Sequence, residues 1–304
     1  MRHSWSGFSA VSCLLLAGTL LAACTTAQLP LPTGSGSPDP SHPPVSPTPS
    51  VEALRPAPHP SVRCGMPTAP ARQVVLRASD GVQLDATIAG TGSRGVVLVP
   101  ELGRQSLCGW WDYATFLAGR GYQVLLFDHR CTGYSGCPVG GSAAVGLVTD
   151  IEAATAALRA AGASRIALVG ASQGGAEVLI AGALARSGTT APGGPGAFAG
   201  VSAVAAFSPD ETGVQLAGPP YATAEQAAPA LRLPVLVAVA PADANAPLDR
   251  VQALFARIAA PGKQLVVDSA QPGVHGWDLL SAGPDGKRPA TSGRLLAFLA
   301  RYTG

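Results

Sequence analysis

Ten consecutive residues restrict this chain more than any others: Ile166-Ala167-Leu168-Val169-Gly170-Ala171-Ser172-Gln173-Gly174-Gly175. The apolar run reads as a buried β-strand, the glycines as a tight turn, and the residues after the turn as a helix. Ser172 stands at the apex, in a G-x-S-x-G frame. A turn this sharp lifts Oγ clear of the sheet, and Gly170 and Gly174 remove side chains that would clash there. The helix would aim its N-terminal amides and the positive end of its dipole at the same spot, where a developing oxyanion would be stabilised. Glycine makes up 37 of 304 residues, so the frame alone is weak; the strand before it and the helix after it give it meaning.

The remaining pattern supplies a sheet around that turn. Val74–Arg77 and Val82–Ile88 alternate apolar and polar residues across Ser79-Asp80-Gly81, an antiparallel hairpin with a tight turn. Gly95–Pro100 is a continuous apolar run, as expected of a parallel strand buried on both faces. A helix near Trp110–Arg120, a strand at Gln123–Asp128 and a helix over Val145–Ala161 come next. Strand Arg165–Val169 then leads into the helix Gly174–Arg186. Strands Val201–Phe207, Val235–Ala240 and Gln264–Asp268, with helices Leu248–Ala259 and Ser292–Tyr302, complete the set. The alternation predicts an α/β fold with a doubly wound, mostly parallel sheet behind an N-terminal hairpin, and ligands at the carboxyl ends of the strands. The segment between Phe207 and Leu233 is short, so the expected cap is minimal. Trp110, Trp111, Tyr221 and Trp277 are candidates either for walls of the cleft or for core, and core is the commoner fate of such residues.

The amino terminus speaks to address. Arg2 precedes an apolar stretch from Val11 to Ala23, and Leu21-Ala22-Ala23-Cys24 has the form of a bacterial lipoprotein processing site. The stretch is short for a membrane span and ends in small residues, so residues 1–23 are expected to be a signal peptide. Cys24 would become the acylated first residue of the mature chain, with diacylation sufficient for stable anchoring. Residues 24–66 then read as a Pro/Ser/Thr-rich tether with no apolar periodicity, reaching about 120 Å when extended at ~3.1 Å per residue. Residues 67–304 form one domain large enough to bury its own core.

Cys64, Cys108, Cys131 and Cys137 remain once Cys13 and Cys24 are set aside. An even count in an exported domain suggests two disulfides. Cys131 and Cys137 flank a short loop and are expected to pair, leaving Cys64 with Cys108, although three connectivities are formally open. No Cys-x-x-Cys pair supports zinc, and no metal or cofactor is expected. Charged residues are only 12% of the chain, the formal net charge is +2 and no basic cluster occurs, which excludes a nucleic-acid footprint.

A serine nucleophile needs a base and a carboxylate to orient it. Only His129 and His275 lie in the expected domain, and only His275 comes after the serine. It sits in Gly273–Asp278, in the loop after the penultimate strand-like segment, where an imidazole could reach the turn. Asp243 is the only carboxylate in the Pro241–Pro247 loop that ends the Val235–Ala240 strand. Asp210, ending the earlier strand, is its rival, and Asp249 fits a helix cap. His129 reads as structural.

Taken together, Gly170–Gly175, Asp128-His129-Arg130-Cys131-Thr132-Gly133-Tyr134-Ser135 and His275-Gly276-Trp277-Asp278-Leu279-Leu280 resemble three segments of the α/β-hydrolase superfamily. They look like the elbow, the Asp-x-Arg-Gly-x-Gly-x-Ser segment and the His-Gly-Phe-like segment of dienelactone-hydrolase-like and prolyl-oligopeptidase-like esterases. The resemblance covers about residues 67–304. It implies an α/β-hydrolase fold and a Ser172–Asp243–His275 triad, in the family's order of serine, acid, histidine. It also implies an oxyanion hole from the backbone amides of Gln173 and Leu102. Two positions depart from the pattern. Pro100-Glu101 replaces the usual His-Gly, and a carboxylate there would oppose an anion unless it points away. Cys131 replaces the glycine of the second segment, as if a disulfide stood in for a tight turn. The expectation is a membrane-anchored, extracytoplasmic serine hydrolase acting on a small or lipid-like ester. A peptidase or acyltransferase would use the same machinery, and a non-catalytic envelope scaffold is the alternative from another class.

Overall fold

One eight-stranded sheet carries every element of the protein that bears on the site. The computed structural model describes residues 57–66, 69–103, 106–138, 146–185, 196–210, 216–218 and 220–304. The expected signal peptide, Cys24 and the tether as far as residue 56 lie outside the described residues.

The strands are β1 (Ala71–Arg77), β2 (Gln83–Ala89), β3 (Arg94–Val99), β4 (Gln123–Phe127), β5 (Arg165–Ala171), β6 (Val201–Phe207), β7 (Val235–Val239) and β8 (Lys263–Val267). Their order is β1-β2-β4-β3-β5-β6-β7-β8. The β1–β2 and β2–β4 pairs are antiparallel, and every other pair is parallel. The hairpin turns where expected, with Asp80 Oδ1 accepting the Val82 N–H at 3.2 Å.

Period-2 alternation divides the core in two. Val97, Val99, Leu125, Phe127, Ile166 and Leu168 face one side, beneath α3 (Leu147–Ala160), α4 (Gln173–Leu184) and α6 (Leu248–Arg257). Val96, Leu98, Val124, Leu126, Ala167 and Val169 face the other, beneath α2 (Cys108–Ala118) and α7 (Ala290–Thr303). Trp110, Trp111 and Trp277 belong to that second core rather than to a cleft wall. Between β6 and β7 the described residues hold only α5 (Ala224–Ala227) and a 3-10 turn at Ala228–Ala230, in keeping with a minimal cap.

Both disulfides form with the expected pairing, Cys64–Cys108 and Cys131–Cys137. Composition gives residues 57–66 to the tether, yet they are seated on the domain. Pro60–Arg63 makes the helical turn α1, and Arg63 donates to Asp85 Oδ2 at 3.0 Å and to the buried Asp128 at 2.6 Å. Helix α2 begins at Cys108, two residues before the expected Trp110.

The sheet order places the site. From β3 the chain crosses to β4 on one side, whereas β5 pairs on the other side of β3, so the loops leaving β3 and β5 diverge between adjacent strands. Such a switch point opens a crevice at the carboxyl ends of the strands.

Candidate active site

Ser172 occupies the turn between β5 and α4 with φ 53° and ψ −123°, a strained conformation for a residue bearing a Cβ. Its backbone is held on both sides: its N–H donates to Phe207 O at 2.8 Å, and its carbonyl accepts from Asp210 N at 3.1 Å. A side chain on Gly174 would overlap the carbonyls of Val99 and Pro100, so the first turn of α4 and the end of β3 are in direct backbone contact.

The strain is distributed around the site. Among the described residues, five other than glycine have positive φ: Ser106, Cys131, Ser172, Ser208 and Ala242. Each lies in the loop that leaves one parallel strand, β3 through β7 in turn. Such conformations cost about 1–3 kcal/mol apiece and persist where surrounding structure over-determines them, which is typical of functional sites.

His275 lies beyond β8, the last strand, and precedes a 3-10 turn at Gly276–Leu280 that packs against β5, β6 and β7. Its Nδ1 lies 2.9 Å from both carboxylate oxygens of Asp243. Asp243 is buried in the loop after β7, where its Oδ1 also accepts from Asn245 N and Ala246 N at 3.0 and 3.1 Å. These two backbone donors fix the carboxyl group and aim it at the imidazole. With Nδ1–H on Asp243, Nε2 is the acceptor of the neutral ring. The carboxylate on His275 is thus Asp243, while Asp210 lies at the end of β6 with its N–H on Ser172.

The two expected oxyanion donors come from diverging loops. Gln173 opens α4 with its N–H in the unpaired first turn, and its side chain is buried beneath. Leu102 lies in the exposed bend after β3, with its side chain in solvent.

Glu101, the departure from the family pattern, turns toward the histidine loop. Its Oε1 accepts the Trp277 N–H at 2.8 Å, and it occupies the space a side chain on Gly276, at φ 56°, would need. Burial pushes its carboxyl up to about 7, opposed by the Trp277 N–H and by His275. The segment after β4 is tied down by buried polar contacts. Asp128 accepts from Leu107 N and Tyr134 N, and Arg130 pairs with Asp150 and Asp80. Cys131 stands at φ 63°, the left-handed region in which the family's glycine would be at ease. His129 is buried, with Nε2 3.0 Å from Pro100 O.

A cavity of about 370 Å³ opens between the ends of β6 and β7, bordered by Pro209, Thr223, Asn245, Arg250, Leu254 and Asp210, the residue whose N–H meets the Ser172 carbonyl. Among the described residues no three His, Cys, Asp or Glu side chains gather as a metal-ligand set.

Sequence reasoning missed Glu177, a buried acid one turn into α4 whose Oε1 accepts from Gln173 Nε2 at 2.8 Å. The signal was an acidic residue inside an otherwise apolar helix, Ala176–Leu184.

A family model described as the alpha/beta hydrolase fold matches residues 96–267, which include Ser172 and Asp243 and end before His275. No curated protein matches. Among solved structures, an esterase from Pyrococcus furiosus is 18% identical with a TM-score of 0.58, over 80% of this chain and 94% of its own. A dienelactone hydrolase from Anabaena variabilis is 17% identical with a TM-score of 0.55, over 77% and 99%. An esterase from Exiguobacterium antarcticum is 14% identical with a TM-score of 0.55, over 75% and 100%. At these identities the likeness shows the fold.

Proposed function

The chain belongs to the α/β-hydrolase fold family, and from that premise we propose that it is a serine hydrolase of carboxylic esters. One observation carries the reading: the Asp243–His275 pair at 2.9 Å lies over the carboxyl edge of the sheet that presents Ser172 on its strained turn. Ser172 Oγ attacks the acyl carbon while His275 Nε2 takes its proton, and the imidazolium is stabilised by Asp243. The Gln173 and Leu102 amides hold the oxyanion. His275 then gives the proton to the leaving alcohol, and water repeats the sequence on the acyl-enzyme. The neighbouring cavity has room for a small substrate group. The esterases and the dienelactone hydrolase of similar fold support a hydrolase rather than a scaffold.

The protein would work outside the cytoplasm, held to the membrane by lipid on Cys24. The Leu21–Cys24 motif and the two disulfides support that setting. The test is hydrolysis of short-chain p-nitrophenyl esters by the oxidised full chain beside Ser172→Ala, with fluorophosphonate labelling in parallel. Turnover and labelling in wild type alone are expected; silence in both assays would overturn the reading.

A further inference from the structure

Every residue of α4 is buried, and Glu177 is its only ionisable side chain. Glu177 Oε1 accepts from Gln173 Nε2 at 2.8 Å and lies 3.7 Å from His129 Nδ1, on the far side of which His129 Nε2 meets Pro100 O at 3.0 Å. His129 Nδ1 and Glu177 Oε2 are both buried and have no hydrogen-bond partner among the described residues. A carbonyl can only accept, so the His129 proton sits on Nε2 and Nδ1 presents a lone pair to the acid. An ionised Glu177 would answer with lone pairs of its own. A carboxylic acid, after a small rotation, donates its O–H to Nδ1 and accepts from Gln173 with its other oxygen.

We propose that His129 and Glu177 are positioning residues, an uncharged brace beneath the active site that sets the separation of the two oxyanion donors. The inference rests on the serine-hydrolase reading. Two hydrogen bonds of the brace are in place, from the Gln173 side chain to Glu177 and from His129 to the Pro100 carbonyl, and the rotated Glu177 acid would supply the third, to His129, in the same direction. One end of that chain is the residue whose amide opens α4; the other is the peptide that leads into Leu102. The backbone contact at Gly174 leaves no slack between them.

The surroundings favour the neutral form. Burial raises the Glu177 carboxyl well above its ordinary range and pushes the His129 ring down to about 4. The charged groups around the pair are Asp128, Arg130 and Asp150. The two aspartates are engaged by Arg63 and Arg130 respectively. His129 also stacks on Phe127 with ring centroids 5.9 Å apart, which fixes its plane.

The experiment uses the oxidised full chain and p-nitrophenyl esters. Glu177→Leu and His129→Phe are expected to lower kcat and kcat/KM together by about 10- to 100-fold with KM within about twofold, since an oxyanion hole acts in the transition state. Glu177→Gln copies the neutral acid, donating to Nδ1 and accepting from Gln173. It should bring kcat back to within about twofold of wild type, with the pH profile unmoved. A Gln variant as poor as Leu, or one whose acid limb has shifted, would mean that the ionised carboxylate is what matters and would overturn the proposal. Full kcat in His129→Phe would do the same. If Glu177→Leu does not fold, the Gln and His129 variants decide. Should wild type neither hydrolyse nor label, the serine-hydrolase reading fails on its own. Nitrogen NMR of the His129 ring then still tests the brace: a neutral Nε2–H ring at about pH 6 supports it, and an imidazolium overturns it.

Discussion

The carboxylate of Glu101 lies against the turn that carries His275, its Oε1 accepting the Trp277 N–H at 2.8 Å. That contact joins the loop after β3 to the loop after β8 and answers the concern raised by an acid near an oxyanion hole. The carboxyl group faces His275 as well as a backbone donor, rather than the amides of Gln173 and Leu102.

Its titration gives a stability prediction of known sign. Burial raises the folded-state Glu101 pKa to about 7 from an ordinary 4.5. The folded state therefore holds this proton more tightly than the unfolded one. The contribution to stability is complete below about pH 4.5 and is lost as pH rises through about 7. Glu101→Gln keeps an oxygen for the Trp277 N–H and cannot ionise. It should be close to wild type near pH 4.5 and exceed it by about 3 kcal/mol near pH 8.5. Thermal melts at the two pH values check this, and an equal gap at both would show that Glu101 does not titrate in that window.

Strain at Ser172 predicts a trade between stability and chemistry. Ser172→Gly removes the Cβ that makes φ 53° costly, and should raise stability by about 1 kcal/mol while abolishing ester hydrolysis. Ser172→Ala keeps a Cβ and should abolish hydrolysis with no such gain. Asp243→Asn leaves the geometry but presents a donor to Nδ1, holding the imidazole in the wrong tautomer. A loss in kcat of about four orders of magnitude is expected. Melting and steady-state kinetics of the three variants together separate strain from chemistry.

Much of this arrangement is legible in the sequence because it is local. Continuous apolar runs mark the parallel strands, and two glycines around Ser172 mark the turn. The Cys131–Cys137 loop closes over six residues. What escapes is set by long-range contacts. Arg63 sits in a stretch whose composition reads as linker, and its partners Asp85 and Asp128 are 22 and 65 residues away. The orientation of Glu101 depends on an N–H 176 residues along. Glu177 is hidden for a different reason, since a glutamate in a helix ordinarily marks the solvent face, whereas here the whole helix is buried. Helix ends shift by up to two residues, as where α2 begins at Cys108, the residue bonded to Cys64, rather than at Trp110.

The seating of residues 57–66 predicts where the domain can be cut. A chain starting at residue 67 loses Arg63 and leaves Asp128, fully buried, beside Asp85 with no cation between them. Breaking a buried pair in this way costs about 3–5 kcal/mol. Asp85 already stands at about 6, raised by burial and by Asp128 against the pull of Arg63, and losing the arginine would raise it further. The penalty should therefore be larger near pH 8 than near pH 5, where the Asp85 carboxyl can take up a proton. Urea melts of residues 57–304 and 67–304 at the two pH values measure it. Arg63→Met in the full chain isolates the charge from the disulfide, and equal stability of that variant at both pH values would rule the ion pair out as the cause.

Cys131 tests whether its disulfide compensates for backbone strain. Its φ of 63° suits glycine, the residue the family pattern places there, and its N–H is held by Gly136 O at 2.9 Å across the loop that the bond to Cys137 closes. Two double variants lose the same cross-link but differ in strain. Cys131→Ser with Cys137→Ser keeps a Cβ in the left-handed region, whereas Cys131→Gly with Cys137→Ser does not. The second should be the more stable by about 1 kcal/mol, and it should retain more ester hydrolysis because the segment it relaxes includes His129 and adjoins the Pro100 peptide. If the two melt together, the backbone at Cys131 relaxes once the cross-link is gone. The left-handed conformation would then be imposed by the disulfide itself.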